Sequence, residues 1–121
     1  MDENFGNKKK GISQSNELEN KHAVIIYFNH GIELLDEIYE LENELRRIVE
    51  RDILGIYDGH EVALDNSDGS LYMYGPNAEL LFKGGLPVLQ KTDFLDGAKA
   101  YLRFGPIEEG VLEITVDIKT K

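Results

Sequence analysis

The chain has no cysteine in its 121 residues, which removes disulfides and thiol chemistry and is compatible with a reducing compartment. Basic residues are scarce. Lys and Arg total 13 against 23 Asp and Glu, a formal net charge of −10. So acidic a surface repels phosphate backbones and anionic headgroups, so nucleic acid and membrane are not the expected partners; a basic or neutral protein is. Long apolar runs are also missing. The strongest, Ala23 to Phe28, is far too short to span a bilayer. Lys8-Lys9-Lys10 is followed only by Ile12 where a signal peptide needs an apolar stretch, so the expected address is the cytoplasm.

Enzyme signatures are absent in the same way. No P-loop, H-E-x-x-H, G-x-S-x-G or dinucleotide glycine pattern occurs. His22, His30 and His60 stand apart without metal-ligand spacing. No catalytic residue, metal or cofactor is expected from motifs alone.

What the sequence does contain is one domain's worth of ordinary core, with 41% hydrophobic residues. Residues 1–21 are polar and have little to bury, so they read as a flexible tail, leaving 22–121 as a single domain. His22 to Phe28 reads as a strand apolar on both faces, and hence central. Ile32 to Arg51 is the clearest helix: Leu34, Ile38, Leu41, Leu45 and Ile48 recur at helical spacing, with Leu35 and Val49 widening the stripe and Gly55 as the expected stop. Beside the apolar stripe runs an acidic one, Glu33, Glu37, Glu40 and Glu44. Like charges at these offsets cost about 0.2–0.5 kcal/mol per pair. A solvated face with acids early and Arg46, Arg47 and Arg51 late accounts for the pattern through the helix macrodipole; a docking surface for a basic partner is the functional alternative.

Two alternating runs, Ile56 to Asp65 and Ser70 to Tyr74, flank Asn66-Ser67-Asp68-Gly69 and form a β-hairpin. Gly75-Pro76-Asn77 then opens a second helix, with Pro76 in an early position. Gly84-Gly85 and Pro87 disfavour its interior by roughly 1 kcal/mol for each glycine and about 3 for the proline, so a kinked helix, or two pieces meeting near Gly84, is expected. Gly97 to Phe104 is a further strand. Val111 to Lys119 alternates Leu112, Ile114, Val116 and Ile118 with Glu113, Thr115, Asp117 and Lys119, as a half-exposed edge strand does.

The element order is that of a ferredoxin-like split β-α-β plan (βαββαβ plus a C-terminal strand): an α+β fold, with an antiparallel sheet and two helices on one face. Strand parity then sorts the side chains. Val24, Ile26, Phe28, Leu71, Met73, Leu102 and Phe104 face the helices. Ile25, Tyr27, Tyr72, Tyr74, Tyr101 and Arg103 emerge on the uncovered face, where gathered tyrosines make a candidate contact surface for a partner protein or for a second copy of the chain, as a two-fold homodimer through the sheet face. RNA-recognition modules share this topology and stack bases on such aromatics, but only Lys99 and Arg103 are near enough to meet phosphates.

Asp58-Gly59-His60-Glu61 packs a candidate general base and an orienting acid, or ligands for a small molecule, into four residues. Asp-Gly at a strand entry is equally ordinary turn chemistry, with His60 an interior histidine. Tyr57-Asp58-Gly59-His60-Glu61, Leu71 to Ala78 (LYMYGPNA) and Leu102-Arg103-Phe104-Gly105-Pro106 together resemble segments of a group of small uncharacterised bacterial proteins. That resemblance covers Ala23 onward and implies a compact α+β domain in a bacterial cytoplasm; it supplies no catalytic residues. Gly84-Gly85 departs from its pattern in the second helix. The expected function is a small acidic, non-catalytic protein-binding module, of which an immunity-type inhibitor of a basic partner is one form. The alternative is a small-molecule or enzymatic site between the Tyr57–Glu61 turn and the tyrosine face.

Overall fold

The computed structural model describes residues 21–29, 35–63 and 68–120. Its elements are β1 (His22–Phe28), α1 (Leu35–Arg51), β2 (Ile56–Val62), β3 (Gly69–Gly75), α2 (Ala78–Gln90), a 3-10 turn (Asp93–Leu95), β4 (Lys99–Arg103) and β5 (Glu113–Asp117). The fold is α+β, with a five-stranded antiparallel sheet in the order β2-β3-β1-β4-β5. β1 is bonded on both sides, to β3 and β4, which is the position its doubly apolar sequence requires. The polar segment 1–20, the start of the expected first helix and residues 64–67 of the hairpin connection lie outside the described residues.

The core is one layer of alternate strand residues beneath two helices. Val24, Ile26, Leu71 and Met73 are fully buried against Ile38, Leu45 and Val49 of α1 and Leu81 and Leu89 of α2. Each such side chain contributes about 1.5–3 kcal/mol, and these contacts hold both helices on one side of the sheet. Phe28 and Leu102 join them, and Phe104 packs against the cluster while half-buried. His22 is structural: its Nδ1 accepts the Ala78 N–H at 3.0 Å, tying β1 to the start of α2.

Three local expectations are corrected. First, α2 is one unbroken helix through Gly84, Gly85 and Pro87. Asn77 caps it by accepting the Leu80 N–H at 3.1 Å, which puts Pro76 before the cap and not in the helix. Gly85 is buried beside Leu45 of α1, and Leu54 occupies the notch at Gly84. Gly84 is the close-approach position, and packing of the helix against its neighbours outweighs the low helix propensity of both glycines. Second, the residue that ends α1 in the left-handed region is Ile53 (φ +54), not Gly55. The Leu54 N–H bonds the Val49 carbonyl at 2.9 Å and the Ile53 N–H that of Glu50 at 3.2 Å, the Schellman pattern with a β-branched residue where glycine is usual. Gly55 serves a different need: any side chain there would overlap the Tyr74 carbonyl. Third, Asp58-Gly59 is not a turn at a strand entry. It sits inside β2 as a bulge, where pairing with β3 jumps between Tyr57↔Met73 and Gly59↔Tyr72; Gly59 carries the φ of +125 that the bulge needs.

β5 is the outer strand beyond β4, as its alternation predicts. Ile118 reaches the core, yet Leu112 and Ile114, on the same side, are 62% and 41% exposed. The helices pack over β1, β2, β3 and β4, so that end of β5 has no cover from them.

Candidate functional site

Cross-strand register builds the open face as three rows. Ile56, Tyr74, Ala23, Arg103 and Glu113 form the first; Gly59, Tyr72, Ile25, Tyr101 and Thr115 the second; Glu61, Ser70, Tyr27, Lys99 and Asp117 the third. The four tyrosines therefore emerge on the side away from the helices. Tyr27 is 45% exposed, and Tyr72, Tyr74 and Tyr101 are half-buried. The tyrosine O–H groups lean on acids. Tyr72 donates to Glu61 Oε1 at 2.6 Å, which raises its pKa, with burial adding to the shift. Burial first, and then the Glu113 carboxylate, pushes Tyr101 up to about 12. Burial and the charge of Asp58 likewise raise Tyr74.

Two cations of this face are occupied. Lys99 Nζ donates to Asp117 Oδ1 at 2.5 Å, and that contact holds the Asp117 carboxyl below the usual range. Arg103 follows the expected parity but does not project. It is 5% exposed, and its Nε and Nη2 donate to the carbonyls of Gly105 and Lys21, each at 2.7 Å. Its expected role as an accessible contact is thereby corrected: short loop carbonyls within reach satisfy the guanidinium before any ligand does.

The Asp58–Glu61 quartet is split by the bulge. Asp58 and Glu61 are exposed and line a shallow depression with Gly59, His60, Tyr72 and Tyr74. The His60 ring turns to the helix side, where its Nδ1 meets Glu42 Oε2 at 2.6 Å. The Tyr57 O–H donates to the same oxygen at 2.7 Å, and burial together with Glu42 drives the Tyr57 pKa far above its ordinary value. Arg46 stacks over the Tyr57 ring at 5.2 Å, and Tyr39 meets His60 edge-on at 6.1 Å. Glu42 itself is 7% exposed. A carboxylate orienting an imidazole is the framework of a general base. Among the described residues, however, no hydroxyl is hydrogen-bonded to His60, and no group of three or more acids and histidines is arranged to hold a metal.

Sequence reading pairs Glu42 with Arg46 on the solvated side of the helix, although Glu42 repeats the phase of Ile38, Leu45 and Val49 at spacings of four, three and four. The acidic stripe, in contrast, lies on the helix layer, opposite the tyrosines. Glu37 and Glu40 are exposed, Glu44 is bridged by Lys91 at 3.2 Å and Arg47 at 3.8 Å, and Glu33 lies outside the described residues. The two candidate surfaces therefore do not join into one. Among the described residues no helix is long and apolar enough to cross a membrane. No family model matches this sequence, and no curated protein or solved structure matches it significantly.

Proposed function

We propose that this is a small, non-catalytic binding module on a ferredoxin-like plan, acting in a bacterial cytoplasm, whose open sheet face docks a basic or neutral segment of a protein partner. The observation that carries the reading is the charge balance of that face. Lys99 is engaged by Asp117 and Arg103 by two carbonyls, while Asp58, Glu61 and Glu113 border the tyrosines with exposed carboxylates. A guanidinium or ammonium laid over a tyrosine gains about 0.5–1 kcal/mol at an exposed site, and the flanking acids steer its approach. A phosphate backbone would meet the same acids, with Lys99 and Arg103 already engaged. An immunity-type inhibitor masking a cationic protein is one concrete form.

A second reading, a small-molecule or enzymatic site at the β2 edge, draws on Glu42 holding His60 by its Nδ1. Amide chemical-shift titration separates the two. An arginine-rich peptide should perturb Tyr27, Tyr72 and Tyr101, and the pair Tyr27→Ala and Tyr72→Ala should weaken binding roughly tenfold or more. Perturbations confined to Glu37, Glu40 and their neighbours on α1, or an oligonucleotide that binds where the peptide does not, would remove the open face from the account. A metabolite whose shifts centre on His60 would favour the second reading.

A further inference from the structure

The two edges of the sheet are built differently. At β2 the bulge at Asp58 breaks the register, and exposed Asp58 and Glu61 discourage a neighbour. β5 has no bulge, and its own exposed acids, Glu113 and Asp117, lie on the open face. It pairs with β4 without a register shift from Glu113 to Asp117, and its residues on the core-facing side, Leu112, Ile114 and Val116, are all apolar. The backbone bonds of its flanks fix which groups are free. The Phe104 N–H donates to the Leu112 carbonyl at 2.9 Å and the Ile118 N–H to that of Ala98 at 2.8 Å, so even-numbered residues turn inward to β4. By alternation, Glu113, Thr115 and Asp117 turn their N–H and C=O groups outward, and among the described residues no strand lies beyond them.

We propose that this edge takes a second copy of the chain: two β5 strands pair antiparallel across a two-fold axis at Ile114 and join the sheets into one. The register follows from charge and from where the exposed apolar side chains lie: a two-fold at Val116 sets Glu113 against Lys119 but leaves the exposed Leu112 opposite Thr120. A two-fold at Thr115 would set Glu113 against Asp117, and one at Glu113 would set that residue against itself. A two-fold at Ile114 sets Glu113 against Thr115, Leu112 against Val116 and Ile114 against Ile114. It also brings the exposed Leu112 and Ile114 of both copies into one apolar cluster above the joined strands. An axis normal to the sheet leaves both helix layers on one side and both tyrosine faces on the other, so the dimer would present its open surface twice. The pairing stands independently of the open-face reading.

The test is the mass of the full chain in solution, by light scattering and sedimentation equilibrium. The expected result is twice 13.7 kDa, with association strengthening as salt screens the −10 charge of each copy. Ile114→Lys should raise the dimer dissociation constant about tenfold or more, and Tyr27→Ala should leave it unchanged. Because the chain has no cysteine, Ile114→Cys gives a single reporter: opposed non-hydrogen-bonded residues lie about 4.5 Å apart at Cα, within disulfide range. Mild oxidation should therefore link the copies covalently at position 114 and not in a Tyr27→Cys control. A monomeric wild-type chain at on the order of 100 µM, failure of Ile114→Cys to cross-link, or a dimer dissociated by Tyr27→Ala but not by Ile114→Lys would overturn the edge pairing.

Discussion

Glu42 and His60, 18 positions apart, meet at 2.6 Å between the middle of α1 and the edge strand β2. The same carboxylate oxygen takes the Tyr57 O–H, so one acid ties two residues of β2 to the helix that covers it. Hydrogen bonds to a charged group contribute about 1.5–3 kcal/mol each where they are sheltered from water. Glu42→Ala should therefore lower stability by about 2–3 kcal/mol, read as a shift in the urea midpoint with an unchanged slope. If the bonds act as one network, His60→Ala should cost much less in the Glu42→Ala background than in the wild type. Additive effects in that double-mutant cycle would show that Glu42 and His60 act separately.

Ile53 makes the opposite prediction. It is 87% exposed and left-handed at φ +54, so its side chain adds almost no burial while its backbone carries a strain of about 1–2 kcal/mol. Ile53→Gly should raise stability by about 1 kcal/mol, after allowing for the extra freedom of glycine in the unfolded chain. Thermal unfolding measures this directly. A fall in melting temperature would mean that the exposed isoleucine makes contacts beyond its own helix end.

Glycines of the same chain should divide by what stands beside them. Gly75 faces the Leu54 carbonyl, and Gly55 faces that of Tyr74, so a methyl group at either position collides with backbone. Gly85 has only Leu45 Cδ2, at 3.4 Å from the place a Cβ would take. Gly75→Ala should be destabilising by more than 1 kcal/mol or so. Gly85→Ala should be neutral or stabilising by up to about 1 kcal/mol, since helix propensity favours alanine and the space is ordinary. Chemical denaturation of the two variants side by side tests the contrast.

These positions also mark where the sequence is legible and where it is not. Strand parity reads cleanly because side chains alternate with a period of two: Tyr27, Tyr72, Tyr74 and Tyr101 lie on the predicted face, and Val24, Ile26, Leu71 and Met73 lie on the other. Glu42 is hidden by an equally good local account, since Glu42 and Arg46 form an ordinary i,i+4 pair on paper. Only the tertiary approach of Tyr57 and His60 gives the acid its partners. Asp58-Gly59 carries the same signal for a turn and for a bulge, because both need a glycine at positive φ. Arg103 has the parity of an exposed residue, and nothing local announces that the carbonyls of Gly105 and Lys21 will hold it down.

Alkaline titration probes the tyrosine–acid contacts. Tyr101 is raised to about 12, by burial and then by Glu113, and Tyr57 is raised further, by burial and then by Glu42. A phenol whose folded pKa exceeds its unfolded value, near 10, favours the folded state while neutral. Its stabilising contribution is complete below pH of about 10 and is lost as pH rises towards the folded pKa. Stability should therefore decline between about pH 10 and 12. In absorbance at the phenolate band, Tyr57 should ionise only as the fold opens. Glu113→Gln should bring the Tyr101 step to lower pH, because the carboxylate beside it no longer opposes the phenolate. Glu42→Gln should do the same for Tyr57 without moving Tyr101, since the two acids lie on opposite sides of the sheet. If Glu113→Gln leaves every phenolate step in place, burial alone sets the Tyr101 value and the acid contact on the open face contributes nothing to it.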